Sequence, residues 1–394
     1  MTPNYFLRYA LSLCFVSLLP VTNLVAQPTR VSQEIASYLD LPANAGSFDF
    51  VPLTLVKDKT SATVTVDCTK GETINAALTK NPGVRNLTVE ITGMCIENVV
   101  VTRDHVTLHG TDPANDGIQA EFSDEISDVA LWVRGAELVT VENLKLTGGF
   151  SGLLASNTGL TNTHLINCRL ENNAAYGVQI ENALVQADDT TFSTNGNVNA
   201  GIFAGSRLQC TNCTLADPVG TGPLGTIRVN AFVFTANRLL LMKSTLTNGG
   251  ITSDDSLVLV TDSTITGVPP VGANTIFAFG SSSIALTRVT VNGGMQFNQG
   301  ANVQLLGVTQ TSTLNNQMDD SAYVRIGDAS PAAGGPPSIP SIVKGFAIRN
   351  FARVTLLQTS RVTGNFVCSQ GADAFCTTPT NISGTSNCGQ CPKP

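Results

Sequence analysis

The chain has 394 residues, of which 13% are charged and 6% aromatic, and its formal net charge is −7. That length can bury a large core, and abundant Gly, Thr, Asn, Val and Leu favour a β-rich fold over a helical bundle or a disordered chain. The negative balance excludes a general grip on nucleic acid, which needs clustered cations, and gives no long-range help with a polyanionic partner.

The N-terminus reads as an export signal. Arg8 precedes the apolar run ALSLCFVSLLPV, and Ala26 in NLVAQPTR offers a cleavage point. The run is short for a membrane span and Pro20 interrupts it, so residues 1–26 are assigned to a removed signal peptide. Leu13 before Cys14 is too bulky for lipoprotein processing. No later segment is long and apolar enough to cross a bilayer. The mature chain is therefore expected to be secreted, periplasmic or cell-surface, with no transmembrane segment. Residues 27–66 form a lead-in, and KGETINAALTK (70–80) predicts a short capping helix with Ile74, Ala77 and Leu78 on one side.

From residue 87 onward the chain repeats itself. Short apolar stretches recur at ALWV (130–133), GLLA (152–155), GVQI (177–180), GIFA (201–204), TIRV (226–229), GITS (250–253), TIFA (275–278) and GMQF (294–297). Between them run second stretches such as VTVENLKLTGG (139–149), THLINCRLENN (163–173) and IALTRVTVNGG (284–294). Strands this short cannot stand alone, and no copy closes its own core. Stacking the copies as turns of a wide coil solves both problems. Each strand then pairs with its equivalent about 4.8 Å away, and inward side chains form continuous columns.

Two inward columns follow. One holds Leu131, Leu153, Val178, Ile202, Ile227, Ile251, Ile276 and Met295; the other holds Leu146, Leu170, Phe192, Leu215, Leu246, Ile265 and Val291. A turn column contains Asn143, Asn167, Asp189, Asn212, Lys243 and Asp262. Asn and Asp tolerate left-handed backbone there, so Asp189 and Asp262 are read as turn-makers rather than catalysts. The Pro/Gly-rich stretch 328–341 is an excursion, and 367–394 is a cysteine-bearing tail.

The opening GETINAAL…LTVEITGMCIENVVVTRDHVTLHG, followed by LWVRGAELVTVENLKLTGG, resembles the pectin-lyase-like right-handed β-helix superfamily, over roughly 67–366. It also resembles exported bacterial proteins of that shape without an assigned activity. The resemblance implies an all-β, right-handed parallel β-helix, the hand that parallel crossovers prefer. It implies no particular chemistry, since one fold serves many functions.

Nine cysteines remain after signal removal. Cys68 and Cys95 flank the cap, and a bridge between them would tie it to the first turns. Cys168 and Cys213 share a column with Thr190 between them, about 9.6 Å apart, too far for a disulfide. Cys168 is read as a buried thiol, and Cys210–Cys213 as a candidate local pair. In the tail, Cys368, Cys376, Cys388 and Cys391 are read as structural disulfides of open connectivity rather than a zinc site.

A solid core leaves chemistry to outward residues. The residue after each inward position gives Trp132, Leu154, Gln179, Phe203, Arg228, Thr252, Phe277 and Gln296. Two residues further on come Arg134, Ser156, Glu181, Gly205, Asn230, Asp254, Phe279 and Asn298. Trp132, Gln179, Glu181, Phe203, Asn230 and Phe277 make a polar strip with rings, a mixture suited to sugars. Arg228 and Asp254 fall on neighbouring turns and are the catalytic candidates of a divergent polysaccharide lyase: a base, and a cation for the substrate carboxylate. Calcium held through Asp254 enters only under that reading, and one carboxylate is too few for it; otherwise no metal or cofactor is expected.

Asp254-Asp255 resembles the paired aspartates of polygalacturonases, but their Gly-His-Gly and Arg-x-Lys signatures are absent, as are the pectate-lyase and pectin-esterase motifs. His105 and His109 are assigned to surface or edge positions. The sequence therefore leads to an exported β-helix presenting an elongated binding or structural surface, with an extracellular polysaccharide as the expected partner. A self-associating surface component is the third reading.

Overall fold

A computed structural model describes residues 61–121, 128–218, 229–267, 274–327, 340–357, 359–377, 382–389 and 391, with backbone alone at 157–161 and 274. The chain divides into two units, Met1–Thr54 and Leu55–Pro394. The signal peptide, most of the lead-in, Ile227, Arg228 and most of the Pro/Gly-rich excursion lie outside the described residues.

The second unit is a right-handed parallel β-helix of about 12 turns. Strands pair in parallel from turn to turn, each with its equivalent in the next coil. The column from Leu146 through Leu170, Phe192, Leu215, Leu246 and Ile265 to Val291 is in register throughout. Cys95 and Ile118 extend it toward the N-terminus. All these side chains are buried, and they form one continuous core. On the outside of the same strands, Thr191, Thr214, Thr245, Thr264, Thr290 and Thr309 stack rung upon rung. β-branched residues suit such a pleated surface.

The other predicted column needs correction. Leu131, Leu153 and Val178 are in register, but Val178 then meets Ala200, and Ala200 meets Ala231 before Ile251, Ile276 and Met295. Ile202 still points inward, two residues along, opposite Ile180 and Val233. The side-chain period of two preserves the buried face through such a slip. The described strand of this turn is Val229–Phe234, and Ala231 takes the column position that repeat spacing assigned to Ile227.

Left-handed turns hold the coil together. Asn143, Asn167, Asp189, Asn212, Lys243 and Asp262 have φ of 54°, 49°, 52°, 57°, 51° and 51°. Asn167 Nδ2 donates to Asn143 Oδ1 at 2.8 Å, and Asn212 donates likewise to Asp189. Arg288 in the next copy donates to Asp262 at 2.8 Å. These aspartates are turn-makers, with their oxygens engaged by neighbours.

The helix Ile74–Lys80 covers the first turn, burying Ile74 and Ala77. Cys68 is bonded to Cys95, with Cα atoms 5.0 Å apart. The ladder begins within the lead-in, since Ser61–Asp67 pairs with Asn86–Thr92. It also continues into the tail, where Ser360–Cys368 and Asp373–Cys376 pair with the preceding turn. Cys368–Cys388 and Cys376–Cys391 fasten that end, with Cα separations of 5.2 and 5.1 Å.

Candidate functional site

Strand parity decides which side chains face outward. On the face made by Val129–Arg134 and its successors, one outward column runs Trp132, Leu154, Gln179, Gly201, Phe232, Thr252, Phe277, Gln296. Beside it run Arg134, Ser156, Glu181 and Phe203, and then Phe234, Asp254 and Phe279. Phe232 holds the column position that the sequence assigned to Arg228.

The polar end of the strip is tied up internally. Trp132 Nε1 donates to Ser156 Oγ at 2.7 Å, and the Arg134 guanidinium lies 5.1 Å from the indole centroid. Gln179 is buried; its Oε1 accepts from Ser151 Oγ at 2.9 Å and its Nε2 donates to Glu181 Oε1 at 2.6 Å. Thus Glu181 has one oxygen committed, and Gln179 positions it.

Asn230 is not on the strip. It lies wholly buried inside the coil, at the end of an amide chain. Asn173 Nδ2 donates to Asn195 Oδ1 at 3.0 Å, Asn195 to Asn199 at 2.7 Å, and Asn199 to Asn230 at 2.7 Å; Asn230 Nδ2 then donates to the Thr247 carbonyl at 3.0 Å. The register is irregular between Val229 and Ala231, so simple alternation fails at Asn230. Its hydrogen bonds are filled, so it offers nothing to an external ligand.

The middle of the strip is aromatic. Ring centroids step from Phe150 to Tyr176 at 5.9 Å, to Phe203 at 5.9 Å, to Phe232 at 6.1 Å, and to Phe234 at 5.9 Å. Phe277 and Phe279 form a further pair 5.2 Å apart, two rungs on from Phe232 and Phe234. Val198, Val229 and Phe232 make a small cluster of their own outside the main core, with Tyr176 and Phe203 packed on it. Phe277 falls in its expected column, whereas Phe203 lies one column over, opposite Glu181, because Gly201 pairs with Gln179. Phe232 and Phe234 escaped it because the repeat was placed on TIRV rather than on VNAFVF.

Asp254 sits between Phe234 and Phe279 on adjacent rungs. Burial pushes its carboxyl up from the ordinary value, and the charge of Asp255 adds to the effect. Asp255 is exposed, with φ of 45°, and its Oδ1 accepts from the Ser281 amide at 2.6 Å. Among the described residues no three His, Cys, Asp or Glu side chains gather as a metal cluster.

Other titratable groups lie elsewhere. His109 Nδ1 is 2.5 Å from Glu90 Oε2, and His164 Nε2 is 2.6 Å from Asp188 Oδ2, both on the next face. Cys168, Cys210 and Cys213 are free and buried. Burial pushes the Cys168 thiol up to about 12 and raises Cys210 well above its ordinary value, with Cys213 adding to the latter. Neither is a reactive thiolate.

No protein-family model and no curated sequence matches the chain. In structure the chain is similar to the enzymatically active domain of tailspike protein 2 from bacteriophage CBA120, at TM-score 0.40 and 12% identity, over 76% of this chain and 47% of that one. It thus spans about half the length of that domain. It is also similar to DFA-IIIase from Arthrobacter chlorophenolicus A6, solved with GF2, at TM-score 0.40 and 9% identity, over 80% of this chain and 92% of that one. The catalytic domain of a GH87 α-1,3-glucanase follows, at TM-score 0.28 and 12% identity, over 86% of this chain and 71% of that one.

Proposed function

We propose that the protein is an exported β-helix, built on the pectin-lyase-like plan that its opening turns resemble, whose outer face binds extracellular glycans. The run of rings from Tyr176 through Phe203 and Phe232 to Phe234 carries this reading, with Phe277 and Phe279 beyond it. Phenyl faces cover the apolar faces of sugar rings, and the flanking carboxylates accept from hydroxyls. Three disulfides and the signal at 1–26 support an oxidising, extracytoplasmic setting. A glycan array tests the reading. The wild type is expected to retain at least one polysaccharide, and the Phe203→Ala/Phe234→Ala variant to lose at least tenfold in affinity while keeping its melting temperature within a few degrees. A well-folded protein that retains no glycan overturns it.

A second reading is catalytic. A carboxyl whose pKa is raised by burial and a neighbouring charge is suited to proton transfer, and Asp254 is such a group. In a divergent lyase, Arg228 would stabilise the substrate carboxylate and Asp254 would exchange the proton. Turnover on a polysaccharide panel that disappears in Arg228→Ala and in Asp254→Asn, both folded, supports this reading. A wild type without turnover on any member removes it.

A further inference from the structure

Phe234, Asp254 and Phe279 occupy one outward column on three successive rungs, and Phe232, Thr252 and Phe277 occupy the neighbouring column on the same three rungs. Four phenyl rings therefore frame one carboxylate and one hydroxyl. Thr252 is wholly buried on the outward parity, and its Oγ1, like that of Thr163 elsewhere in the coil, has no hydrogen-bond partner. Leaving a buried polar group unmatched is costly, and native proteins rarely do so without reason. A ligand hydroxyl in the frame would satisfy it.

Charge narrows the ligand. Asp254 and Asp255 are adjacent in sequence and place two acidic side chains at the frame. Burial and Asp255 already push Asp254 up. A third carboxylate, or a sulfate, brought between the rings would add like-charge repulsion in a partly dehydrated place. An uncharged ring meets no such penalty and can donate hydroxyls to Asp254.

We propose that Phe234, Phe279, Asp254, Asp255 and Thr252 form a sugar subsite that takes a non-acidic ring, with the two aspartates rejecting uronic and sulfated residues. This rests on the glycan-binding reading above and gives it a substrate class. Phe234 and Phe279 supply stacking, Thr252 the buried hydrogen bond, and the aspartates the discrimination.

The test is calorimetric titration of the full chain with neutral gluco-, manno-, galacto- and xylo-oligosaccharides, alongside oligogalacturonates, alginate oligomers and sulfated galactans of matched length. At least one neutral series is expected to bind at least tenfold more tightly than every acidic one. Asp254→Asn/Asp255→Asn is expected to shrink that gap tenfold or more; Asn at 255 keeps the left-handed backbone. Thr252→Val keeps the shape and removes the hydroxyl. It should weaken the neutral ligand about tenfold with the melting temperature unchanged or raised, a result that a purely structural threonine would not give. An acidic series bound more tightly than all neutral ones overturns the subsite and leaves glycan binding standing. So does a gap untouched by the double variant, or an affinity untouched by Thr252→Val. Binding to no glycan of either class overturns both.

Discussion

The Glu97 carboxylate accepts the Ile74 amide at 2.5 Å, across 23 residues of sequence. Its other oxygen accepts from the Asn75 amide at 3.1 Å. Glu97 thus caps the only α-helix among the described residues from the bend after Met94–Ile96, two residues past Cys95 of the Cys68–Cys95 bridge. A negative group at a helix N-terminus satisfies donors that the helix itself cannot. Glu97→Ala leaves two amides without an acceptor and is expected to cost about 1–3 kcal/mol. Denaturant unfolding measures the loss, and hydrogen exchange should show it concentrated at Ile74 and Asn75. A change within about 0.5 kcal/mol, the range of ordinary surface substitutions, would refute the capping role.

Asp116 makes stability depend on pH in a defined direction. Burial alone pushes its carboxyl up, but the amides of Gly93 and Thr111, the Thr111 hydroxyl and the Asp112 amide outweigh burial and hold it below the ordinary 3.8. The four contacts measure 2.8, 2.9, 2.9 and 3.1 Å. A carboxyl depressed on folding adds stability that is complete above its unfolded value and is lost as pH falls through its folded one. Asp116→Asn should therefore destabilise the protein at pH 7, and the difference from wild type should fade as pH drops from about 4. Melting curves across pH 2–8 decide it; a gap that stays constant would exclude the linkage.

The amide chain through Asn199 is a third point of test. Asn199 accepts from Asn195 and donates to Asn230, all within the core. Asn199→Ala takes a partner from one donor, on Asn195, and from two acceptors, the Asn230 oxygen and the Ala216 carbonyl, at about 1–3 kcal/mol each. Asn230→Ala orphans the Asn199 donor and the Thr247 carbonyl as well. The two losses should not add in the double variant, because the pair shares one bond. Chemical denaturation of the two single variants and the double measures this coupling.

Much of this architecture was legible because the repeat is physical. The column through Leu146, Phe192 and Ile265 could be read from spacing alone, since each member follows a fixed turn whose residues recur as Asn, Asp or Lys with left-handed backbone. The other column slipped where the turn lengthens. Ala200 to Ala231 is a longer step than Val178 to Ala200. Apolar TIRV inside the long step offers a false match to the pattern, and small Ala at both true positions weakens the real signal. That slip hid Phe232 and Phe234, and with them the centre of the aromatic strip. Alternation also puts Asn230 on the surface, because it does not carry the register irregularity between Val229 and Ala231. Alternation says which parity is buried, but not which of several similar tetrads pairs with its neighbour; hydrogen-bond register decides that.

Asp254 gives the last prediction, with a sign opposite to Asp116. Burial, then the charge of Asp255, raise its carboxyl above the ordinary 3.8. A carboxyl raised on folding favours the folded state while it is protonated, and that advantage is lost as pH rises through the folded value. At neutral pH the ionised Asp254 is therefore a small net burden, much of it screened because the group is only partly buried. Asp254→Asn removes the charge and keeps the shape, so it should raise the melting temperature at pH 7 and leave it unchanged near pH 3. A structural aspartate would behave in the reverse way, losing stability at pH 7 on substitution. Under the proposed glycan subsite this charge is kept for a ligand, since a destabilising group survives where function requires it. Melting curves of wild type and Asp254→Asn at the two pH values separate the cases: a lower melting temperature for the variant at pH 7 would identify Asp254 as part of the scaffold.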